Sequence, residues 1–273
     1  NPYKMGAVAG ADVHSGYSGN EEWDWKGAHG AQDDTPKKRL DPKPNASGES
    51  GFIVSSAGTT AVWAEENTRE AIFSAFQRRE TYATTGTRLK VRFFGGWDFS
   101  TDDLNSPDFA RIGYARGVPM GGDLVGTGSN KVPSFMVYAV KDSLGANLDR
   151  VQIVKGWLDQ GGKTHEKVFD VVWAGDRVKN AEGKVPAVGN TVNLETARYE
   201  NSIGAVELST LWSDPEFDAA QSAFYYVRVL EIPTPRHTLF DAGALKESFT
   251  GMGKPATIQE RAYSSPIWYE PAH

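Results

Sequence analysis

The sequence predicts an α+β protein: the closing part of an α/β unit over residues 1–90, followed by an all-β, sandwich-like domain over residues 91–273. Three observations predict it. Ile72, Phe73 and Phe76 recur at helical spacing, whereas Leu89, Val91 and Phe93 alternate, so the apolar period changes from 3.6 to 2 near residue 90. About seven short apolar segments then follow with no helical pattern between them, as a sandwich requires. The 29 glycines and 11% aromatic content suit a β-rich chain with many turns.

The elements justify themselves in order. Gly6–Ala11 is a run of small apolar residues that reads as a short buried strand, with Asp12-Val13-His14 at its C-terminal end. Residues 17–50 are polar, rich in Gly, Asp, Lys and Pro, and broken by Asp41-Pro42-Lys43-Pro44. A loop of that length is expected to be a functional lid or a disordered segment, and in an enzyme it would shape the substrate entrance. Its basic knot, Lys37-Lys38-Arg39, is flanked by Asp33, Asp34 and Asp41 and reads as solvated. Asn67 is the expected helix N-cap, with Glu70 three residues on and Arg78 and Arg79 near the C-terminal end. The β segments expected are Arg88–Phe93, Ser134–Val140, Val151–Leu158, Lys167–Trp173, Thr191–Tyr199, Ile203–Leu211 and Phe224–Glu231.

A net charge of −6 without clustered Lys and Arg argues against nucleic-acid partners. No apolar run reaches the ~20 residues that span a bilayer, so no membrane partner is expected. The absence of cysteine removes disulfides, zinc–thiolate sites and cysteine nucleophiles. It fits cytoplasm or periplasm equally. The chain opens on Asn and inside an expected strand, so a preceding segment is expected and no statement about export follows.

Asp12 and His14 stand two residues apart and can share a metal or a substrate; the plainer alternative is a turn carboxylate with a hydrogen-bonded histidine. Glu65 and Glu66 are adjacent and would diverge in a strand, which favours a helix N-terminus over an acid/base pair, and Trp63 beside them reads as core. His29 falls in the polar loop, His165 and His237 in the β-rich part as structural or surface residues, and His273 at the terminus. Asp214-Pro215-Glu216-Phe217-Asp218 lacks calcium-loop spacing and reads as a solvated turn. Gly95-Gly96 and Gly121-Gly122 lack a phosphate-loop ending, and Ser55, Ser56 and Thr84 lack a nucleophile elbow. Asn45-Ala46-Ser47 matches a glycosylation sequon.

Several motifs carry a family resemblance. Asn1-Pro2-Tyr3-Lys4 ahead of Gly10-Ala11-Asp12-Val13-His14-Ser15-Gly16, the run Val62–Glu70 continuing to Arg79–Thr84, Val154-Lys155-Gly156-Trp157, Phe224–Pro235 and Ser264–Tyr269 resemble domain-of-unknown-function family 3604 over nearly the whole chain. That family is similar to the PHP superfamily, named for polymerase and histidinol phosphatase, whose members hold clustered divalent metals in a distorted β/α barrel. The resemblance implies that residues 1–90 are the terminal piece of such a barrel. It implies that Asp12 and His14 match a late Asp-x-His metal motif, and that the ion is Zn, Mn or Fe. The family's early His-x-His motif is absent, so the resemblance implies the C-terminal portion of a metal-dependent hydrolase, most often a phosphoesterase, incomplete as this chain. A small anionic ester is the implied substrate.

A second class remains open: a binding or assembly module in which exposed rings from Trp97, Trp157, Trp212 and Trp268 stack on carbohydrate. A barrel strand and helix cut from their neighbours would expose apolar surface, so they are expected to pack on the β-rich part or on a second copy in a homo-oligomer.

Overall fold

The computed structural model describes residues 3–14, 16, 21–28, 30–44, 48, 50–51, 54–56, 58–129, 131–159, 161–249 and 256–272. The fold is α+β and dominated by two sheets. In chain order its elements are α1 (Pro36–Arg39), β1 (Thr59–Val62), α2 (Arg69–Gln77), β2 (Thr81–Thr84), β3 (Lys90–Gly96), α3 (Thr101–Leu104) and α4 (Phe109–Arg116). They continue as β4 (Gly117–Pro119), β5 (Asp123–Val125), β6 (Ser134–Val140), β7 (Leu148–Leu158), β8 (Thr164–Trp173), β9 (Glu207–Ser213), β10 (Ala223–Pro235), α5 (His237–Leu245), β11 (Thr257–Ser264) and β12 (Ile267–Glu270).

The long β10 organises the larger sheet. One of its edges pairs with β7, which pairs with β8; its other edge pairs with β12 at one end and β11 at the other. From β11 the sheet continues to β2 and β1, and from β12 to β5. The smaller sheet runs β4-β3-β6-β9 and is antiparallel throughout. Alternation decides what lies between the sheets. Leu89, Val91 and Phe93 meet Phe135, Val137 and Ala139 on one side, and Val151, Ile153, Tyr225, Val227 and Val229 on the other. The opposite face of the smaller sheet presents Phe94 and Met136 to Phe99, Leu104, Phe109 and Ile112 from the α3–α4 region.

The boundary expected at residue 90 falls between β2 and β3, and β2 is hydrogen-bonded to β11. One sheet therefore takes strands from both sides of that position. The strands flanking α2 are antiparallel, whereas a β/α unit runs its strands parallel. Barrel geometry is not seen among the described residues.

Gly6–Ala11 also departs from expectation. The segment forms no strand, and Val8 is largely exposed. Hydroxyls replace the ladder. Ala9 N–H donates to Thr60 Oγ1 (2.9 Å), which donates back to the Ala9 carbonyl (2.7 Å). Ala7 N–H donates to Ser265 Oγ (2.8 Å), and Thr81 Oγ1 donates to the Ala7 carbonyl (2.8 Å).

The α2 N-cap is Thr68, whose hydroxyl accepts from Ala71 N–H (3.2 Å), one residue after the expected Asn67. The helix lies on the row that includes Ile72 and Ala75, leaving Phe73 and Phe76 exposed. Residues 191–199 form turns rather than a strand. Asn193 Oδ1 accepts from the N–H groups of Glu195 and Thr196, and this local closure competes with sheet pairing.

Candidate functional site

Asp12 adopts a left-handed backbone with φ of 48°, a conformation Asp tolerates better than most residues. Two residues on, His14 Nε2 stands 3.2 Å from Asp12 Oδ1, so the turn brings the pair together. Both side chains face solvent, 58% exposed for His14 and 91% for Asp12. The His14 N–H donates to the Ala28 carbonyl (2.8 Å), tying this turn to the polar loop.

That loop is anchored, not free. Arg39 donates to both oxygens of Asp241 on α5, at 2.9 and 2.6 Å, and both side chains are buried. Lys37-Lys38-Arg39 is thus only partly the solvated knot expected. Lys38 pairs with Asp34 at the surface, while Arg39 turns inward because α5 supplies a bidentate partner. Asp33 accepts from Ala28 N–H (2.9 Å) and packs against Gly27, whose φ of 91° and closeness to Asp33 leave no room for a Cβ.

Beside it lies a buried Glu22–His237–Ser56 cluster. Glu22 Oε1 accepts from Ser56 N–H (3.1 Å) and Oγ (3.0 Å). Glu22 Oε2 accepts from His237 N–H (2.6 Å) and faces His237 Nδ1 (3.2 Å), while Nε2 faces the Gly51 carbonyl (3.1 Å). Burial opposes ionisation of Glu22, but the His237 and Ser56 donors outweigh it and hold its carboxyl below the usual range. The cluster contains the residue types of a hydrolytic triad in the wrong order. The carboxylate is central, so the Ser56 hydroxyl donates its hydrogen bond to Glu22 and not to an imidazole that could activate it. Its role is structural: it fastens the loop to α5.

The other candidates disperse. Glu65 and Glu66 are exposed ahead of α2 and do not form its N-terminus. Glu65 borders a hollow with Arg92, whose guanidinium lies 3.4 Å over Trp63 and donates to Tyr114 Oη (2.7 Å). Tyr114 in turn donates to Glu80. His165 Nε2 stands 2.8 Å from Asp159 Oδ2, and its ring stacks on Trp157. His29, His273 and Asn45-Ala46-Ser47 lie outside the described residues. Among the described residues no three His, Asp or Glu side chains gather as a metal site. Of the tryptophans considered for stacking, Trp97, Trp157 and Trp212 pack against the core; Trp268 alternates to the outer face.

Asp214 corrects another expectation. It is buried rather than part of a solvated turn. Its Oδ2 accepts from Lys155 Nζ (2.5 Å) and Tyr225 Oη (2.8 Å). The signal was available: Val151, Ile153 and Lys155 alternate, which puts Lys155 on the core face where it needs a counter-charge. The same alternation, Val227, Val229 and Glu231, brings a carboxylate inside. Glu231 Oε1 accepts from Thr87 Oγ1 (2.6 Å), and Glu260 on β11 accepts from Thr85. Burial pushes Glu231 up to about 7 and Glu260 up to about 8; Asp142 and Glu21 add to the first, Glu22 and Glu231 to the second, and the threonine donors oppose both.

The model of a protein family of unknown function, DUF3604, matches residues 1–271. The chain belongs to the DUF3604 family. No curated protein and no solved structure matches it. The family match spans both sheets and the Asp12–His14 turn.

Proposed function

We propose that a protein carrying this chain is a metal-dependent hydrolase of the PHP type, acting on small anionic esters, with Asp12 and His14 as two of its metal ligands. The observation that carries the reading is the convergence of an anionic oxygen and an imidazole nitrogen within 3.2 Å on an exposed left-handed turn. Hard oxygen with borderline nitrogen suits Zn, Mn or Fe. Such an ion, when bound, supplies a water of lowered pKa.

The chemistry of the pair fits; its number falls short of a closed set, and further donors must come from outside the described residues. This chain's contribution is to present the pair. The His14 amide is fixed to Ala28, and Ala28 belongs to the loop that Arg39 and Glu22 fasten to α5.

The test is metal content by plasma mass spectrometry and hydrolysis of an aryl phosphate ester, for this chain and for a longer protein that includes it. His14→Ala and Asp12→Ala in the longer protein should lose metal and turnover together. Normal metal content and turnover in His14→Ala would remove Asp12 and His14 from the reading.

A further inference from the structure

The outer face of the larger sheet carries a groove that the hydrolase reading does not use. Its floor is built from β10 and β12: Phe224 and Trp268 are register partners, both point away from the core, and their rings stand 5.3 Å apart. Gly156 on β7 makes room for the Phe224 ring. A Cβ there would sit 2.2 Å from Phe224 Cζ, so only glycine lets that ring lie down across the strand. A cleft of about 590 Å³ lies on one side of the ring pair and a hollow of about 320 Å³ on the other, both lined by Phe224 and Trp268. The result is one elongated groove with an aromatic saddle at its middle. Tyr226 and Tyr263 extend the aromatic surface into the smaller hollow.

The rim around the larger cleft is polar. Thr164 and Ser222 bring hydroxyls, Glu166 and Glu270 carboxylates, and Lys4 an ammonium. The ammonium is already held between Asp123 and Glu270, at 2.7 Å from each, and the Arg79 guanidinium stands 3.5 Å from Asp123, so two cations balance two carboxylates and that part of the rim is close to neutral. These facts select among occupants. A purely apolar ligand would strip water from the carboxylates without replacing its hydrogen bonds. An anion would meet Glu166 and Glu270. A cation would have to compete with Lys4. A neutral saccharide matches both parts: its C–H face lies on the rings, and its ring of hydroxyls meets donors and charged acceptors at the rim. Two hollows about one saddle suit several linked sugars.

We infer that this groove binds a neutral oligosaccharide, with Trp268 and Phe224 as the stacking platform and Glu166 as a hydroxyl acceptor. The probes are the hexaoses of cellulose, xylan, mannan and chitin, titrated into the intact chain by calorimetry with indole emission followed in parallel. Saturable binding of at least one, with a change in emission, is expected. Trp268→Ala should weaken it by at least about tenfold, the factor that about 1.4 kcal/mol represents. Trp268 is partly buried, so Glu166→Ala, at an exposed position, is the second variant; it should weaken binding severalfold without altering the melting temperature. Failure of all four sugars at millimolar concentration would overturn the inference. So would binding unchanged in both variants, or binding of choline in place of sugar. None of these outcomes depends on metal or turnover at Asp12 and His14, so the hydrolase reading stands or falls separately.

Discussion

Glu231 provides the sharpest test of the buried electrostatics. It is 1% exposed, sits at the β10 irregularity between Leu230 and Pro233, and receives a hydroxyl donor from Thr87. Burial, with Asp142 and Glu21 nearby, lifts its carboxyl to about 7 from an ordinary 4.5. Lifting it that far costs the ionised form roughly 3 kcal/mol, at about 1.36 kcal/mol for each pH decade. The sign follows from linkage. Between about 4.5 and 7 the folded chain holds a proton that the unfolded chain has lost, so stability is greatest below that window and falls as pH rises through it. Glu231→Gln removes the titration and keeps an oxygen for the Thr87 hydroxyl. The variant should match the parent near pH 4.5 and exceed it by roughly 2–3 kcal/mol at pH 8.5. Urea unfolding at both pH values, with equal m-values, reads this directly. A stability difference that is the same at the two pH values would refute the argument.

Other perturbations follow from the same geometry. Lys155→Met leaves Asp214 buried with only Tyr225 as a side-chain donor and should cost about 3–5 kcal/mol by urea unfolding; a cost below about 1 kcal/mol would mean that Asp214 reaches water. Arg39→Ala removes the two-pronged contact to Asp241, so limited proteolysis should cut within residues 21–56 faster while both sheets stay protected; an unchanged cleavage pattern would mean that Glu22 and His237 hold the loop alone. Thr60→Val deletes both hydrogen bonds to Ala9, so hydrogen exchange at Ala9 should quicken while the β1–β2 pairing keeps its protection; equal exchange would show that the segment is held by other contacts.

Much of the sheet framework is legible in the sequence because one face of each strand is buried. Of the alternation at Leu89, Val91 and Phe93, Val91 and Phe93 fall on β3 and Leu89 just ahead of it; Ser134–Val140 is β6 to the residue, and Val151–Leu158 and Phe224–Glu231 fall inside β7 and β10. What alternation does not carry is partner choice. β1 and β2 flank the one helix foreseen, and local pattern alone reads them as part of an α/β unit; their pairing with β11 joins residues far apart in sequence. Periodicity also failed where a side chain closes a local hydrogen bond, as Asn193 does. It misplaced the exposed face of α2 because Ala75, the best-buried helical residue there, carries little apolar signal of its own. In the candidate site, Asp12 and His14 stand out by residue type and spacing. The anchors Arg39–Asp241 and Glu22–His237 do not, since each pairs residues about two hundred positions apart.

The two proposed sites share one physical element. Lys4 lines the groove, and Asp12 and His14 end the same segment, which the sheet holds through the hydroxyls of Thr60, Thr81 and Ser265. The chain from Lys4 to Asp12 spans at most about 28 Å even if fully extended. A saccharide seated on Trp268 and an ester held at Asp12 would thus lie within the reach of one short oligomer. The segment also makes the sites separable. Thr60→Val loosens the Asp12 end, whereas Lys4 keeps its two carboxylates and the Lys4 carbonyl keeps the Arg79 guanidinium (3.2 Å). Groove binding that survives in Thr60→Val while metal affinity drops would mean the hydroxyl stitches serve to position the ligand pair. Loss of both together would mean that the segment moves as one rigid strip, and that occupancy of the groove is felt at the Asp12–His14 turn.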